Sequence, residues 1–523
     1  MAVEHLEIER KFDVEEAFVL PDLGGVPGVD AVAEPVTHDL EAAYHDTADL
    51  RLARARVTLR RRTGGTDAGW HVKLPAIAGA RRELHSPLGR ATKTPPKAVL
   101  EPVLGVVRRA PVGPVAVLRT RRVVTELRDA EGRVLAEVAD DHVTGTALPA
   151  GPGDAAVVTT WREVEVELVD GDESVLAEVA AELVAAGARP ASSPAKLSRV
   201  LADRLAAVGG PPDPAVPAAG GGKKAAKKAA KKARTLPVGE VLRSSLAQQV
   251  RDLQDADLMV RTGQPDGVHQ VRVACRRLRS TLAAFRPVLD RTRTDPLRTE
   301  LAAVGAALSP SRDAEVALAH LRELVAQQAD ELVLGPVAAR LQQNAVQDEH
   351  DGDVRARKAL AAPAYSQLRD DLDALVAEPP FTADATRPAA EVLREVLGRT
   401  THRLRKAVDA AVDAEDDEAL HDVRKAAKRL RYTAEAALPV LGAPVKDLIS
   451  VLKGVQDVLG DRQDTFVTRP LCLQLGLQAH AAGENAWTWG RLHALEQARC
   501  EEAEREFWLR WPGLRPVMKA ATK

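Results

Sequence analysis

The chain has 523 residues, a formal net charge of −2 and 45% hydrophobic residues. This length predicts more than one domain, and the near-neutral charge argues against a bulk nucleic-acid binder. Cys275, Cys472 and Cys500 are too few and too far apart for a disulfide framework and fit a reducing compartment. No apolar run approaches the roughly 20 residues of a membrane helix, and the acidic N-terminus is unlike a signal peptide. We therefore expect a cytoplasmic protein outside the membrane.

The first predicted strand carries charges on one face. Glu7, Glu9 and Lys11 alternate with Ile8, so on a β-strand their side chains point the same way. Residues 163–168 repeat the pattern, with three glutamates on one face and three aliphatic residues on the other. A sheet that gathers acids from both ends of a domain onto one face needs cations. We expect a divalent metal, together with arginines and lysines from the strands between.

Composition divides the chain into three segments. Residues 1–205 have mostly strand character, with helical spacing at 174–186. Residues 206–236 form a linker rich in Gly, Pro, Ala and Lys. Its basic run at 223–234 is interpreted as a solvated spacer, with a tether for a polyanion as the alternative. Residues 237–517 are long amphipathic helical segments separated by Pro or Gly.

A motif is repeated within the helical segment. Residues 269–279 match residues 421–431, each beginning with His-x-Val-Arg. A second match, around Asp313 and Asp464, follows at nearly the same separation along the chain. Two ordered matches predict a duplicated helical bundle.

Each motif helix has an apolar back and a basic front when residues advance by about 100°. An ordinary amphipathic helix carries mixed charges on its solvated face, because like charges four residues apart repel. A purely basic front needs a polyanion, or an acid from another helix, and arginine forks suit phosphate oxygens. The candidate polyphosphate-binding residues are His269, Arg272, Arg276, Arg279, His421, Arg424, Lys428 and Arg431. These two helices resemble the CHAD family, which implies an α-helical bundle with a basic, polyphosphate-binding groove over about residues 237–515.

The strand-rich segment resembles the CYTH, or triphosphate-tunnel, family over about residues 3–205. The motifs that carry the resemblance are Glu7-x-Glu9-x-Lys11, Tyr44–Thr47, Leu59–Arg62, Trp70–Pro75, Arg82-Glu83, Arg119–Arg122, Asp140-Asp141, Glu163–Glu167 and Ser193–Leu197. The resemblance implies a closed antiparallel barrel of about eight strands with a polar lumen. The alternative, a sheet with one face in water, does not explain acids on the first and last strands with bases between them.

The resemblance also implies roles for individual residues. Substrate phosphates would be bound by Lys11, Arg60, Arg62, Lys73, Arg122 and Lys196. Mg²⁺ or Mn²⁺ would be held by Glu7, Glu9, Glu163, Glu165 and Asp141, one ion cradling phosphates and a second presenting water. Glu7, Glu9 and Lys11 would be catalytic, with Lys11 orienting or activating the water.

Strand parity leaves some of these assignments open. Arg119 and Arg121 could point inward instead of Arg122, and Asp140 instead of Asp141. Glu167 is either a further metal carboxylate or a rim residue. His71 and His85 are expected to be incidental.

The predicted fold is multidomain α+β: a barrel with flanking helices, followed by an all-α bundle with an internal repeat. The expected function is metal-dependent hydrolysis of inorganic triphosphate, with polyphosphate binding by the helical segment. One alternative is a non-catalytic polyphosphate-binding or granule-associated protein. Another is an enzyme for an organic triphosphate such as thiamine triphosphate or ATP, against which the scarcity of aromatic residues counts. Nucleic acid is not expected as the main partner, and the oligomeric state is open.

Overall fold

The structure is a computed structural model in which the chain forms two compact units, Met1–Pro214 and Ala215–Lys523. It describes residues 3–65, 67–75, 81–89, 94–151, 153–193, 195–208, 235–413 and 417–523. The predicted linker at 206–236 falls almost wholly outside these ranges, as does its basic run, so both stay predictions.

The N-terminal unit is built on one antiparallel sheet, which has eleven strands among the described residues. The strands are β1 (Val3–Glu7), β2 (Glu9–Val14), β3 (Ala31–Val32), β4 (Val36–Asp46), β5 (Thr58–Thr63), β6 (Gly69–Lys73), β7 (Arg81–Pro87), β8 (Gly113–Arg128), β9 (Val134–Ala147), β10 (Val157–Leu168) and β11 (Arg189–Pro190). Neighbouring strands follow the order β1-β7-β6-β5-β4-β8-β9-β10-β2-β11, and β3 pairs with β8.

The sheet is not closed, so the closed barrel implied by the family resemblance is wrong for the strands described here. The reason lies at Ile8, which separates β1 from β2. β1 pairs with β7 at one end of the sheet, whereas β2 pairs with β10 near the other. The N-terminal segment thus changes its partner after one residue, and Ile8 still accepts a hydrogen bond from the Leu168 amide at 3.0 Å. One continuous segment spans both ends of the sheet without closing the ladder.

The outer face of the sheet is packed by helix α4 (Glu173–Ala185), which lies where the periodicity predicts a helix. Alternation along β2 and β10 turns Phe12, Val164 and Val166 outward, where they are buried in one core with the helix. Each fully buried valine contributes about 1.5–3 kcal/mol. The Asp172 side chain caps the helix by accepting the Ser174 amide at 2.9 Å. Because these residues anchor one face, the intervening acidic and basic residues turn to the inner face.

Shorter helices complete the N-terminal unit, and one of them positions a lysine in the site. They are α1 (Arg51–Arg54), α2 (Lys97–Leu100), α3 (Leu104–Val107), α5 (Lys196–Val200) and α6 (Ala202–Ala207). In α5, Leu197 and Val200 are buried against the sheet. Their burial fixes the neighbouring Lys196 at the inner face of the sheet.

The C-terminal unit is helical, as predicted. Its helices are α7 (Val238–Arg261), α8 (Gly267–Ala284), α9 (Arg291–Ala307), α10 (Ser309–Ala326), α11 (Val337–Ala361), α12 (Pro363–Ala377), α13 (Ala389–Asp413), α14 (Asp417–Leu441), α15 (Ala443–Ala481) and α16 (Trp487–Ala521). The repeated motifs lie on α8 and α14, which pack on each other. Their apolar faces, including Val271, Leu278, Val423 and Leu430, are fully buried in one core. None of the described helices combines the length and apolarity that crossing a membrane requires.

Candidate active site and anion-binding surface

The inner face of the sheet encloses a cavity of about 860 Å³. The predicted site residues that line it are Glu9, Lys11, Arg60, Arg62, Lys73, Arg122, Glu165 and Lys196. Glu7 lies in β1 opposite Arg81, and its side chain is outside the described residues, so its role stays a prediction.

Three buried carboxylates gather beside this cavity, and one of them, Glu165, lines it. Asp141 on β9 pairs directly with Glu163 on β10, and Glu165 follows two residues later on the same face. One oxygen from each carboxylate lies within 4.8 Å of the others, and all three residues are buried. Asp140 points to the opposite face and accepts Arg162 NH2 at 2.7 Å. The inward residue of the Asp140-Asp141 pair is therefore Asp141.

Two lysine ammonium groups lie among these carboxylates. Lys196 Nζ is 2.9 Å from Asp141 Oδ2, 2.5 Å from Glu163 Oε1 and 2.7 Å from Glu165 Oε1. Lys11 Nζ also pairs with Glu165, and lies 2.9 Å from Oε2 of Glu9. Four of the predicted metal ligands, Glu9, Asp141, Glu163 and Glu165, thus form one network with two predicted substrate-binding residues.

Arg122 completes this network from β8. Its Nε donates to Asp141 Oδ1 at 2.8 Å and its NH2 to Asp141 Oδ2 at 2.6 Å, a two-point fork. The same NH2 donates to Glu165 Oε2 at 2.5 Å. Arg119 instead lies on the surface, where it pairs with Glu41 at 2.9 Å, and Arg121 is exposed. Of the three arginines left open by parity, Arg122 faces the cavity.

In this network, the attraction between opposite charges shifts the pKa values more than burial does. Burial raises the pKa of the Glu165 carboxyl, but Lys11, Lys196 and Arg122 outweigh it and hold that pKa well below its usual range. Burial lowers the pKa of Lys196, but Glu165, Asp141 and Glu163 outweigh it and raise that pKa above the ordinary value. The pKa of Lys11 is raised in the same way, against burial, chiefly by Glu165. A charged Lys11 can orient a water but does not remove its proton.

The other wall of the cavity is basic. Arg60 and Arg62 lie on β5 and Lys73 on β6. Burial, then Arg60 and Arg122, lower the pKa of Arg62 to about 10. The Arg62 Nε–H group is buried and has no hydrogen-bond partner among the described residues, although its guanidinium pairs with Asp67. Crowded cations with an unused donor favour an anionic ligand.

The cavity also contains two histidines without a predicted role. His71 on β6 and His85 on β7 both line it, with ring centroids 4.8 Å apart. His71 Nδ1 is 2.7 Å from Oε1 of Glu83, which also faces Arg60 and Lys73. The sequence does contain a clue, since His71 and Lys73 are two residues apart and therefore share a strand face.

Glu167 lines the cavity as well and is part-exposed. Burial raises the pKa of its carboxyl, Lys73 offsets this in part, and Glu9 and Glu165 add to the rise. Glu167 therefore lies outside the three-carboxylate cluster.

The carboxylate cluster suits a hard divalent cation. Carboxylate oxygens are the donors that Mg²⁺ and Mn²⁺ prefer, and Asp141, Glu163 and Glu165 supply them from two adjacent strands. Glu163 Oε1 is buried, and Lys196 Nζ, 2.5 Å away, occupies the side from which a cation would approach it. Glu9, from β2, is a further carboxylate of the same cavity.

In the helical unit, four predicted residues form a cluster, which we call the motif cluster: Arg276, Arg424, Lys428 and Arg431. Burial, followed by Arg424, Arg276 and Arg431, lowers the pKa of Lys428 to about 7. Acids also lie near the cluster: Glu435 Oε1 is 3.6 Å from Arg431 Nε, and Asp464 of α15 has a carboxyl pKa that burial raises. Because the pKa of Lys428 is nevertheless lowered, repulsion and burial outweigh these acids at that residue.

The motif cluster is held by polar contacts behind it. Arg276 Nε donates to the Tyr432 hydroxyl at 3.1 Å, and Arg424 NH1 donates to the Gln456 carbonyl at 3.2 Å. The guanidinium of Arg431 lies 5.2 Å from the centre of the Tyr432 ring, a cation–π contact. These contacts orient the side chains of Arg276, Arg424 and Arg431 within the cluster.

The remaining predicted residues lie on the same two helices, α8 and α14. His421 Nδ1 is 2.5 Å from Oε1 of Gln463. His269 and Arg272 are part-buried on α8, and Arg279 is exposed. Burial, then Arg298, lowers the pKa of Arg279, and Arg276 lowers it further.

A second basic group, the flank cluster, continues from Arg279 and was not predicted. It consists of Arg286, Arg298, Arg403 and Arg429. Burial, followed by Arg403, Arg298, Arg286 and Arg279, lowers the pKa of Arg429. These arginines lie on or beside different helices, so only the folded chain brings them together.

Comparisons with known proteins agree with this architecture. Residues 5–198 match the CYTH domain and residues 244–473 the CHAD domain. An uncharacterized protein of Mycobacterium tuberculosis, matched in strains CDC 1551 and H37Rv, is 38% identical over 513 residues, 95% of this chain and 94% of that protein. PptA from Streptomyces chartreusis is similar in structure, with TM-score 0.45 and 23% identity over 53% of this chain and 99% of that one. The CHAD domain from the plant Ricinus communis has TM-score 0.41 and 22% identity, over 55% of this chain and 92% of that one. The chain belongs to the family of proteins in which a CYTH domain is followed by a CHAD domain.

Proposed function

We propose that the N-terminal unit hydrolyses inorganic triphosphate with Mg²⁺ or Mn²⁺, and that the helical unit binds polyphosphate. One observation carries the first part: a single cavity is lined by crowded arginines and by Glu165, which belongs to a cluster of three buried carboxylates. A chain of phosphates would pair with the arginines, and the carboxylates would hold a metal ion that offsets the phosphate charge.

Substrate binding falls to the basic residues. Arg60, Arg62 and Lys73 would bind phosphate oxygens by charge-assisted hydrogen bonds, each contributing about 1.5–3 kcal/mol. The buried Nε–H group of Arg62 is available to donate such a hydrogen bond. Arg122 would remain forked on Asp141, a contact that fixes the guanidinium against the carboxylate wall.

Asp141, Glu163 and Glu165, with Glu9 and the predicted Glu7, would hold the metal. When bound, Mg²⁺ or Mn²⁺ neutralises phosphate charge and lowers the pKa of a coordinated water. Lys196 would then turn from the carboxylates toward the phosphate chain, and Lys11 would orient the water by hydrogen bonding. The water oxygen would bond to the terminal phosphorus as the bond to the bridging oxygen breaks, and the water's proton would pass to a phosphate oxygen, so that phosphate and pyrophosphate leave.

A second candidate is a binding protein with little turnover. Its support is that Lys11, Lys196 and Arg122 already neutralise the three carboxylates. A cation would have to compete with Lys196 for the same oxygens. In that case the cavity would bind a phosphate chain directly and the metal would add little.

The test is phosphate release from inorganic triphosphate by the purified protein, with Mg²⁺, Mn²⁺ or EDTA, beside ATP, thiamine triphosphate and long-chain polyphosphate. Metal-dependent release from inorganic triphosphate alone is the expected result. Preference for an organic triphosphate would move the assignment to that substrate. Tight binding without release from any substrate would favour the binding protein.

The polyphosphate proposal rests on the motif cluster. Replacing Arg276, Arg424 and Lys428 together by Ala should weaken long-chain polyphosphate binding, whereas deleting residues 223–234 should change it little. If the deletion abolishes binding and the substitutions do not, the linker is the binder. We further propose a reducing, cytoplasmic setting that includes polyphosphate granules, supported by three cysteines that are all buried and unpaired.

A further inference from the structure

Glu163, one of the three clustered carboxylates, has its two oxygens in different surroundings. Oε1 faces the Lys196 ammonium at 2.5 Å. Oε2 accepts a hydrogen bond from the indole Nε1–H group of Trp161 at 2.5 Å. Trp161 and Glu163 are two residues apart on β10, so both side chains point to the same face of the strand. One oxygen is therefore held by a neutral donor, and the other faces a cation.

The neutral donor distinguishes Glu163 from the other two carboxylates of the cluster. Asp141 and Glu165 both accept hydrogen bonds from the guanidinium of Arg122. Within the described residues, the contacts of Glu163 are with Trp161 and with a lysine, and not with an arginine. An indole N–H group donates but carries no charge, so it fixes an oxygen without neutralising the carboxylate. The charge of Glu163 is thus left for whichever cation lies at Oε1.

The ring of Trp161 is itself fixed by Arg199. The Arg199 guanidinium lies 5.2 Å from the ring centre, a cation–π contact. The same guanidinium donates from NH2 to Asp13 Oδ1 at 2.5 Å and to Ser192 Oγ at 2.8 Å. The other oxygen of Asp13 accepts the Ser192 amide at 2.9 Å. These contacts tie the indole to β2 and to α5.

Helix α5 contacts both the indole and the carboxylate. Lys196 and Arg199 are three residues apart on it, a spacing that makes two side chains neighbours on one helix face. Lys196 reaches Glu163, and Arg199 lies against Trp161. Gly145 of β9 leaves space for this packing, since a Cβ there would lie 2.3 Å from a side-chain methyl of α5 and 3.1 Å from Cζ3 of Trp161. The sheet and the helix thus hold indole, carboxylate and lysine as one unit.

A hydrogen bond to Oε2 matters because the cation at Oε1 would have to change. The ammonium of Lys196 sits on a flexible four-carbon stem and can move away from the carboxylate. A carboxylate held only by that ammonium would be free to rotate as the lysine left. The indole removes this freedom, as polar groups behind metal ligands generally do.

We propose that Trp161 is a positioning residue of the metal site: its indole N–H group fixes Oε2 of Glu163, so that Oε1 can exchange the Lys196 ammonium for a divalent cation without rotation of the carboxylate. This inference rests on the proposed function, in which these carboxylates hold Mg²⁺ or Mn²⁺. Trp161 acts through Glu163, so its loss should weaken the binding of the metal more than that of the phosphate chain.

The first experiment titrates the full chain with Mn²⁺, without substrate, and measures the free ion by electron paramagnetic resonance. Trp161→Phe keeps an aromatic ring for Arg199 and removes the N–H group, so the Kd for Mn²⁺ should rise about tenfold. Trp70→Phe is the matched control, because Trp70 is fully buried and its Nε1–H group has no hydrogen-bond partner in the described chain. It should keep the wild-type Kd. An unchanged Kd in Trp161→Phe overturns the proposal.

A double variant separates orientation of the ligand from packing. Glu163→Gln removes the charge of the proposed ligand and should raise the Kd for Mn²⁺ more than Trp161→Phe does. If the indole acts through Glu163, adding Trp161→Phe to Glu163→Gln should raise the Kd no further. If Trp161 only supports the sheet, the two effects should multiply, and that result overturns the proposal.

Wild-type protein decides the question if Trp161→Phe fails to fold. Isotope labelling of tryptophan nitrogen makes the indole N–H groups of the six tryptophans visible by NMR. Mn²⁺ bound at Glu163 should broaden one of these signals most, and Glu163→Gln should shift the same signal in metal-free protein, because its acceptor loses its charge. Mn²⁺ binding with no such signal, or with a signal that Glu163→Gln leaves in place, overturns the proposal.

Kinetics distinguish this proposal from the proposed hydrolysis. Trp161→Phe should need about tenfold more Mg²⁺ for half-maximal phosphate release, while KM for inorganic triphosphate at saturating Mg²⁺ stays near that of wild type. Weaker Mn²⁺ binding by Trp161→Phe, in a protein that releases no phosphate, supports the positioning role and overturns the hydrolysis alone. Unchanged Mn²⁺ binding in a protein that hydrolyses triphosphate overturns the positioning role alone. Absence of Mn²⁺ binding by wild type overturns both.

Discussion

The two units of the protein both concentrate cations, but they shift the pKa of lysine in opposite directions. In the cavity, buried carboxylates raise the pKa of Lys11 and Lys196 above the ordinary value in spite of burial. In the motif cluster, burial and neighbouring arginines lower the pKa of Lys428 to about 7. The charged form of lysine is therefore stabilised by neighbouring carboxylates in one unit and destabilised by neighbouring arginines in the other.

Under the proposed function, the difference would give two ways to bind phosphate. The cavity is balanced before a ligand arrives, so a short substrate would bind there with a metal ion that competes with the internal ion pairs. The motif cluster is crowded with cations, and a polyanion would relieve their repulsion directly. The first arrangement would position reacting atoms, whereas the second would supply affinity for a long chain.

The largest effect is expected from removing one charge of the carboxylate cluster. Asp141→Asn removes a carboxylate that we propose as a metal ligand and weakens the fork with Arg122, so kcat/KM for inorganic triphosphate should fall about 10³-fold. Asp140→Asn is the matched control, because the adjacent carboxylate faces outward and pairs with Arg162. It should keep kcat/KM within about twofold of wild type while lowering the melting temperature slightly. Equal kinetics in the two variants would show that the cluster is not the metal site.

The next effect tests the basic wall. Arg62→Ala removes a guanidinium from the cavity and should raise KM about 10- to 100-fold, with a smaller change in kcat, because it acts mainly on substrate binding. Arg61→Ala, one residue earlier on the opposite face of β5, should leave KM near that of wild type. The measurement is initial-rate kinetics with Mg²⁺ at saturating concentration. A larger loss in Arg61→Ala would contradict the assignment of the strand faces.

The placement of these residues shows what strand alternation can predict about the site. A period of two was enough to put Glu9, Lys11, Glu163 and Glu165 on the cavity face, and Arg122 followed from motif spacing. Alternation could not predict the break at Ile8. A strand that changes its hydrogen-bond partner keeps the same alternating sequence pattern. The closed barrel was therefore wrong although the antiparallel sheet was confirmed.

Alternation and periodicity also could not predict sites formed by segments that are far apart in the chain. His71 shares a face with Lys73, but its partners are a carboxyl from β7 and a carbonyl from a turn. Arg403 and Arg429 approach each other only because α13 and α14 pack together. Helical periodicity assigns a residue to a face of its own helix, and it cannot tell which other helix that face meets.

A smaller effect concerns the pH dependence of polyphosphate binding. Below about pH 7 the Lys428 ammonium is already charged, so affinity should be flat there. Bound polyphosphate raises the pKa of Lys428 toward its ordinary value, so above pH 7 binding takes up a proton and affinity falls as pH rises. Lys428→Arg should remove this slope and keep the affinity, while Lys428→Met should remove it and weaken binding about tenfold.

The measurement is calorimetric titration with long-chain polyphosphate from pH 6 to pH 9, in buffers of different ionisation enthalpy that reveal the proton. Lys425→Met is the control, since Lys425 is exposed and pairs with Asp422 at 3.0 Å. It should retain the wild-type curve. A slope that survives in Lys428→Arg would assign the proton to another group, such as Asp464 or His421.

The smallest effect tests whether a long chain extends from the motif cluster onto the flank cluster. Arg403→Ala should weaken long-chain polyphosphate binding about threefold and lower the slope of log affinity against log salt by about one. Binding of a chain short enough to fill only the motif cluster should not change. Arg405→Ala lies two residues further along α13, on a different face, and should alter neither quantity. Equal weakening of short and long chains by Arg403→Ala would place both on one continuous site, whereas no weakening of either would confine polyphosphate to Arg276, Arg424 and Lys428.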